Sequence, residues 1–221
     1  MERVAAVVLA AGAGTRFGAG AGAHKLLAPF RGRPLVSWAV AAAAGAGLGA
    51  VVVVSGAVDL GPALRPGAGV PDDVAVVVND DWARGQATSL AAGIGWCRAH
   101  GFDAAVFGLG DQPLVPASAW RAVGTAADAP VVSAVYAGRR RPPVRLHRSV
   151  WGLLSADGDE GARELMRRRP DLVGEVACEG DPADVDTLED LRRFGGGATA
   201  PAGTVGAPGM AGAPGTDDEW R

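Results

Sequence analysis

Apolar positions run almost without interruption through four short segments: Val4–Ala10 (VAAVVLA), Ala50–Ser55 (AVVVVS), Val74–Val78 (VAVVV) and Ala104–Leu109 (AAVFGL). Runs of this length, rich in β-branched residues, predict strands covered on both faces. A fifth strand is expected at Pro130–Tyr136 (PVVSAVY). The intervening segments carry helical spacing instead. "PLVSWAVAAAAGAG" opens with Pro34 at a plausible first helical position, where a missing N–H costs nothing. "SLAAGIGWCRAH" places Leu90, Ile94 and Cys97 on one helical face, with Ser89 as its candidate N-cap. "PASAWRAVGTAA" and "GARELMRRR" predict two more helices. In "DVDTLEDLRRF", Thr187 followed by Asp190 has the spacing of a capping box. Strands alternating with helices imply an α/β fold: a mostly parallel sheet with helices on both faces.

The pattern stops after Phe194. "GGGATAPAGTVGAPGMAGAPGTDDEWR" has no apolar period and few residues able to build a core, so residues 195–221 are expected to form a disordered tail behind one domain at 1–194. Its "GAPG" elements are too short and irregular for collagen triplets. A net charge of −3 over 221 residues offers no general attraction to nucleic acid or to an anionic membrane, so any anion site must be local. The two cysteines, Cys97 and Cys178, stand in no CxxC or Cys/His cluster and point to neither a disulfide framework nor a zinc site. Glu2 and Arg3 lead straight into the first strand, without the pattern of a signal peptide or a membrane span. A cytoplasmic location is the expectation. The abundance of Ala, Gly, Arg and Val has the look of GC-rich coding bias, which weakens the meaning of any single glycine.

Chemistry is concentrated where strands end. The first strand runs into "GAGTRFGAGAGAHKLL", with Arg16 and Lys25 set among bare glycines. The carboxyl edge of a parallel sheet is where α/β proteins bind ligands. The dinucleotide fingerprint fails because its third glycine is late, and no carboxylate follows near the second strand. The P-loop fails because Lys25 lies between His24 and Leu26. What remains is a glycine loop whose N–H groups can wrap phosphates, with two cations as charge-assisted donors. A tight turn enriched in glycine by coding bias also fits these residues.

Three further stretches carry candidate groups. In "VFGLGDQPLV", Asp111 follows a strand beside Gly110 and Pro113. A carboxylate there suits Mg²⁺, and equally a turn or a helix N-cap. Asp184 and Asp186 precede the helix capped by Thr187, and a capping cluster accounts for at least one of them. In "NDDWARGQATSLAAGI", Gly85, Gln86, Thr88 and Ser89 form a polar stretch opening a helix. Such a stretch can read a base edge, although spacing alone favours a cap.

In this order, "LAAGAGTRFG…HKLL", "GQATSL", "GLGDQPLV", "RRPPVRLH", "GDEGAR" and "DVDTLEDL" resemble the MobA-like nucleotidyltransferases. They are most similar to the molybdenum cofactor cytidylyltransferase branch, over about Val4 to Phe194. The resemblance implies a Rossmann-like nucleotide-diphospho-sugar transferase fold, a nucleoside triphosphate donor and Mg²⁺. Carried over by motif, Leu9, Ala10, Ala11, Gly12 and Gly14 would contact the nucleotide through backbone, and Arg16 and Lys25 would hold its phosphates. Gln86 and Ser89 would lie in the base-reading stretch, and Asp111 and Asp186 would bind the metal. Arg16, Lys25, Asp111 and Asp186 would form the catalytic set. The chain departs from the pattern in three places. Pro142-Pro143 stands where relatives often have His-Pro, Arg139 to Arg141 precede it, and "GAGAGA" is inserted between Phe17 and His24. The tail maps to no role in the family.

The implied reaction is attack of an acceptor phosphate on the α-phosphorus of an NTP with loss of pyrophosphate, which needs positioning and charge neutralisation more than a nucleophilic triad. Three readings follow. The first is transfer of CMP from CTP to molybdopterin cofactor, in partnership with a molybdenum hydroxylase. The second is the same chemistry on another phosphorylated acceptor, a sugar phosphate or another cofactor. The third is a cofactor-binding chaperone that does not catalyse.

Overall fold

The computed structural model describes residues 2–17, 24–65, 69–155 and 158–196, with Arg16 described in its backbone only. The inserted glycines at 18–23 and the tail from 197 lie outside the described residues, and so do the expectations attached to them.

The described chain forms β1 (Val4–Ala10), a two-residue hairpin of β2 (Pro29–Phe30) and β3 (Arg33–Pro34), α1 (Leu35–Gly45), β4 (Val51–Ser55), β5 (Ala75–Val78) and α2 (Gln86–Ala99). There follow β6 (Ala104–Leu109), α3 (Ala117–Thr125), β7 (Val131–Tyr136), β8 (Arg139–His147), α4 (Ala162–Arg168), β9 (Val173–Ala177) and α5 (Leu188–Gly195). Seven strands make one sheet in the order β5-β4-β1-β6-β8-β7-β9. All its pairings are parallel except those of β8, which runs antiparallel to β6 and β7. The mostly parallel α/β sheet expected from the sequence is therefore the one observed.

Period-2 alternation distributes each strand between two cores. Along β1, Ala6 and Val8 face a layer that includes Val36 and Val40 of α1 and Trp120 and Val123 of α3. Ala5 and Val7 face Leu90, Ile94 and Cys97 of α2 and Leu165 and Met166 of α4. Burying each valine side chain contributes roughly 1.5–3 kcal/mol, which is why the near-continuous apolar runs become central strands. The connection from β1 leads outward to β4, whereas β6 pairs on the other side of β1. The carboxyl ends of β1 and β6 thus flank the point where strand order reverses, and there a crevice opens.

Several local expectations are corrected. Pro34 is the N-cap of α1 rather than its first residue, and its carbonyl accepts from Ser37 Oγ at 2.6 Å. Helix α2 begins three residues before Ser89, with Gly85 as its cap. Strand β5 is an edge strand covered on one face only, leaving Val76 and Val78 exposed. The short β2–β3 hairpin and two strands of the large sheet went unread. In β8, three arginines and two prolines hide the pattern, and a register shift at Ser133/Ala134 leaves Pro142 and Pro143 outside the ladder, where a missing N–H costs no hydrogen bond. In β9 the alternation spans only five residues, two of them exposed.

Candidate functional site

The crevice is assembled from backbone first. The β1 strand ends with Leu9 O accepting from Gly110 N at 2.9 Å, and Ala11 O accepting from Ala57 N at 3.0 Å. These bonds tie the glycine loop to the ends of β6 and β4. Gly12 is exposed, and a Cβ there would meet nothing within 4 Å. Gly14, in contrast, has φ +62° and would bring a Cβ to 3.0 Å from Lys25 Cγ. The first glycine leaves space beside the cleft, and the second makes the turn.

His24 joins the two ends of this loop. Its Nε2 lies 2.9 Å from Gly12 O, and its Nδ1 accepts from Leu26 N at 3.3 Å. That pair of contacts requires the neutral ring with its proton on Nε2. Burial lowers the His24 pKa, outweighing the raising effect of the Gly12 bond; the neighbouring Lys25 charge lowers it further.

The next residue occupies the centre. Lys25 Nζ donates to Asp111 Oδ2 at 2.6 Å and to Asp186 Oδ1 at 2.7 Å. Its side chain is 11% exposed. Burial alone would lower the Lys25 pKa, but the charges and hydrogen bonds of Asp111 and Asp186 together raise it above the ordinary lysine value.

Segments far apart in sequence are locked around this cluster. Val185 N donates to Asp111 O at 2.9 Å. Gln112, almost fully buried, donates to Pro182 O and to Asp184 Oδ1, each at 2.9 Å. Beneath them a third small core joins Phe30 and Leu35 to Val185, with Trp38, Leu191 and Phe194 packed against it. The stretch after Lys25 and the stretch before Asp186 are thus two walls of one apolar cluster. The capping box of α5 forms as expected: Thr187 Oγ1 accepts from Asp190 N at 3.1 Å, and Asp190 Oδ2 accepts from the backbone N–H groups of Asp186 and Thr187. Asp190 is therefore the capping carboxylate, and Asp186 faces Lys25. Asp184 stands behind them. Burial and then the Asp111 charge raise its pKa, and the Gln112 bond lowers it in part.

Beside the cluster lies a cleft of about 350 Å³, lined by Leu9, Ala11, Gly12, Gln86, Ser89 and Asp111 among others. Ala10 is buried in the α1 core instead, with its backbone paired to Ser55 of β4. The far wall holds because Gly85, at φ +114°, sits so close to Gly158 that a Cβ would fall 2.5 Å from Gly158 O. Ala87 N donates to that same oxygen at 2.9 Å. Thr88 and Ser89 both accept from buried Asn79 Nδ2, at 2.9 and 3.0 Å, so they brace α2 against the end of β5. Gln86 is left as the amide that faces the cleft from this stretch. The Arg16 side chain lies outside the described residues. Of the three arginines before the prolines, Arg140 pairs with Glu175 at 2.5 Å.

His24, Gln112, Asn79 and Val185 also carry the site's geometry; each lies inside a stretch quoted above, but none was singled out as a site residue. Their only signal was adjacency: each stands within a few residues of a group already singled out.

The cluster also passes a test for a divalent ion. Two carboxylate oxygens already converge on one cationic centre, and Mg²⁺ or Mn²⁺ takes one or two carboxylates with phosphate and water completing the shell. No three His, Cys, Asp or Glu side chains gather for a metal among the described residues, so bound oxygens from a substrate would have to finish the coordination.

Comparison with known proteins follows the same line. The MobA-like NTP transferase domain family matches residues 6–173. Nicotine blue oxidoreductase of Paenarthrobacter nicotinovorans is 36% identical over 203 residues, covering 86% of this chain and 96% of that protein. A manganese complex of Rv0371c from Mycobacterium tuberculosis H37Rv superposes with a TM-score of 0.70 at 30% identity, over 89% of this chain and 100% of that one. A nucleotidyl transferase from Methanothermobacter thermautotroptrophicus gives 0.73 at 26% identity, over 89% and 97%.

Proposed function

The chain belongs to the MobA-like NTP transferase family, and from that membership we propose that it is a Mg²⁺-dependent cytoplasmic cytidylyltransferase that moves CMP from CTP to molybdopterin cofactor. The observation that carries the reading is the placement of Lys25 between Asp111 and Asp186, beside a loop with open backbone. Pure binding of a nucleotide needs a cation and N–H donors. It does not need two carboxylates held on the same point.

In this reading the backbone N–H groups that follow β1, at Ala11 and Gly12, receive the nucleotide beside Leu9, and Gln86 faces its base. Lys25 transfers its contacts from carboxylates to phosphate oxygens, where a preorganised cation stabilises charge growing on the departing pyrophosphate. Arg16 adds a second cation. Asp111 and Asp186 would hold Mg²⁺, which supplies neutralisation of the triphosphate and a template for the acceptor oxygen. Across the described residues no helix is long and apolar enough to cross a membrane. The mycobacterial relative is known as a complex with manganese, which supports use of a divalent ion.

Turnover of each NTP against purified molybdenum cofactor, with pyrophosphate detection, tests the proposal. CTP-dependent release supports it, and no release with any NTP in Mg²⁺ or Mn²⁺ rejects it.

A second reading comes from the relative named for nicotine blue. If this chain shares the activity in that name, it acts as an oxidoreductase on nicotine blue and releases no pyrophosphate from an NTP. The same purified protein separates the two.

A further inference from the structure

A second and larger cavity, about 470 Å³, opens on the α2/α4 side of the sheet and shares Leu9, Gln86 and Leu109 with the nucleotide cleft. We infer that it binds a flat, largely apolar ring compound bearing an anionic group, held by Arg141 and Arg163. Its assignment as the acceptor's place in the reaction rests on the nucleotidyltransferase reading; the binding chemistry itself does not.

The floor of the cavity is a gap in the hydrophobic core. Leu90 of α2, Phe107 of β6, Val144 of β8 and Met166 of α4 belong to the core on that face and also line the opening. Among the described residues, the only uncharged polar side chains on the lining are Gln86 and Ser133, and Ser133 Oγ already donates to Ala134 O at 3.2 Å. A sugar phosphate would therefore lay a ring of hydroxyls against side chains that can answer almost none of them. Hydroxyls stripped of water without a partner weaken binding. An aromatic or heteroaromatic ring loses little there and gains contact with Phe107 and Met166. The volume falls in the range of small-molecule sites.

The rim supplies the other half. Arg140 and Arg167 are neutralised, by Glu175 at 2.5 Å and by Glu160 at 2.7 Å. Arg141 and Arg163 also line the cavity, and neither guanidinium makes an ion pair or hydrogen bond among the described residues. They come from different elements, β8 and the first turn of α4, so they face the opening from two sides. Four guanidinium groups with two carboxylate partners leave the rim cationic in a chain whose net charge is −3. Guanidinium groups suit phosphate, sulfonate and carboxylate geometry.

The experiment uses the whole chain and three probes. Anilinonaphthalene sulfonate combines the ring and the anion, phenylnaphthylamine has the ring without the anion, and glucose 1-phosphate has the anion without an apolar ring. Fluorescence titration is expected to show the sulfonate bound at least about tenfold tighter than its neutral counterpart. The sugar phosphate should fail to displace it. The double variant Arg141→Gln/Arg163→Gln, at exposed positions where folding is not at risk, should erase the preference for the anion. Ala162→Trp, which fills the cavity from its rim, should weaken both ring probes by tenfold or more. Equal binding of the two ring probes to the unaltered chain, displacement by glucose 1-phosphate, or unchanged binding in the double variant or in folded Ala162→Trp would each overturn the inference. Because these readouts need no turnover, a protein that binds the ring anion but releases no pyrophosphate would reject the nucleotidyltransferase reading alone.

Discussion

Lys25 and Asp186 stand 161 positions apart in the sequence and 2.7 Å apart in space. The same ammonium reaches Asp111, so one lysine bridges both carboxylates before any ligand arrives. A divalent ion and Lys25 therefore compete for the same oxygens. Lys25→Met should bind Mn²⁺ without nucleotide more tightly than the unaltered chain, by about tenfold, while kcat falls on the order of a hundredfold because the phosphate cation is gone. Calorimetric Mn²⁺ titration with parallel kinetics checks both halves. Unchanged metal affinity would show that Lys25 and the ion do not share a position.

The same pairing sets a pH limit on stability. The folded Lys25 pKa is raised, so its contribution is complete below the ordinary lysine value of 10.5 and is lost as pH rises through the folded value. Melting temperature should fall more steeply above that pH in the unaltered chain than in Lys25→Met. Parallel curves would place the alkaline loss elsewhere.

His24 titrates in the opposite direction. Its folded pKa is lowered by burial, so the neutral ring is favoured by folding and stability is lost as pH falls from about 6.5 toward the folded value. Protonation would put a hydrogen on Nδ1, which now accepts from Leu26 N, and would loosen the turn that aims Lys25. KM for the triphosphate should rise in this acid window. His24→Gln keeps a donor for Gly12 O and should flatten the dependence. A profile identical in both proteins would remove His24 from the account.

Gly12 and Gly14 separate binding from folding. Alanine at Gly14 meets Lys25 and a left-handed φ together, and it should cost about 1–2 kcal/mol of stability. Alanine at Gly12 meets no protein atom, so melting should be unchanged while KM for the nucleotide rises. Equal effects at both positions would mean that the open side of Gly12 faces no ligand.

How far the sequence carried these conclusions depends on the kind of signal. The central strands were legible because β-branched runs buried on both faces have few other solutions, and the Thr187 cap because its partner is three residues away. Lys25, Asp111 and Asp186 were legible as motif residues, but their meeting was not: it depends on Phe30 packing near Val185 and on Val185 N bonding to Asp111 O, contacts between distant segments. Strand β8 was hidden for a local reason, since arginines and prolines at a bulge erase the alternation that marks a strand. Ser89 was misplaced because a helix cap and a helix interior look alike when Gly85 supplies the true start.

The last expectation concerns the base. CTP should be preferred over GTP. The hydroxyls of Thr88 and Ser89 are held by Asn79, so within this stretch discrimination falls on Gln86, with the backbone of the loop after β1 and Asp159 of the far wall also lining the cleft. Asp80 and Asp81 were the carboxylates nearest in sequence that could have accepted from guanine. Both are exposed, Asp81 pairs with Arg84 at 3.5 Å, and neither lines the cleft. No acidic group from that stretch is left to pair with guanine N1 and N2. A site that reads by hydrogen bonds can reject the wrong base by roughly 10⁴-fold, because mismatched polar groups are buried unpaired. Competition between CTP and GTP for one acceptor, scored by product mass, should give the cytosine product in large excess. Gln86→Ala should shrink that excess without altering the melting temperature, since Gln86 caps nothing. A guanine product in excess would reject the cytidylyltransferase assignment and leave the Lys25 cluster as the site of transfer.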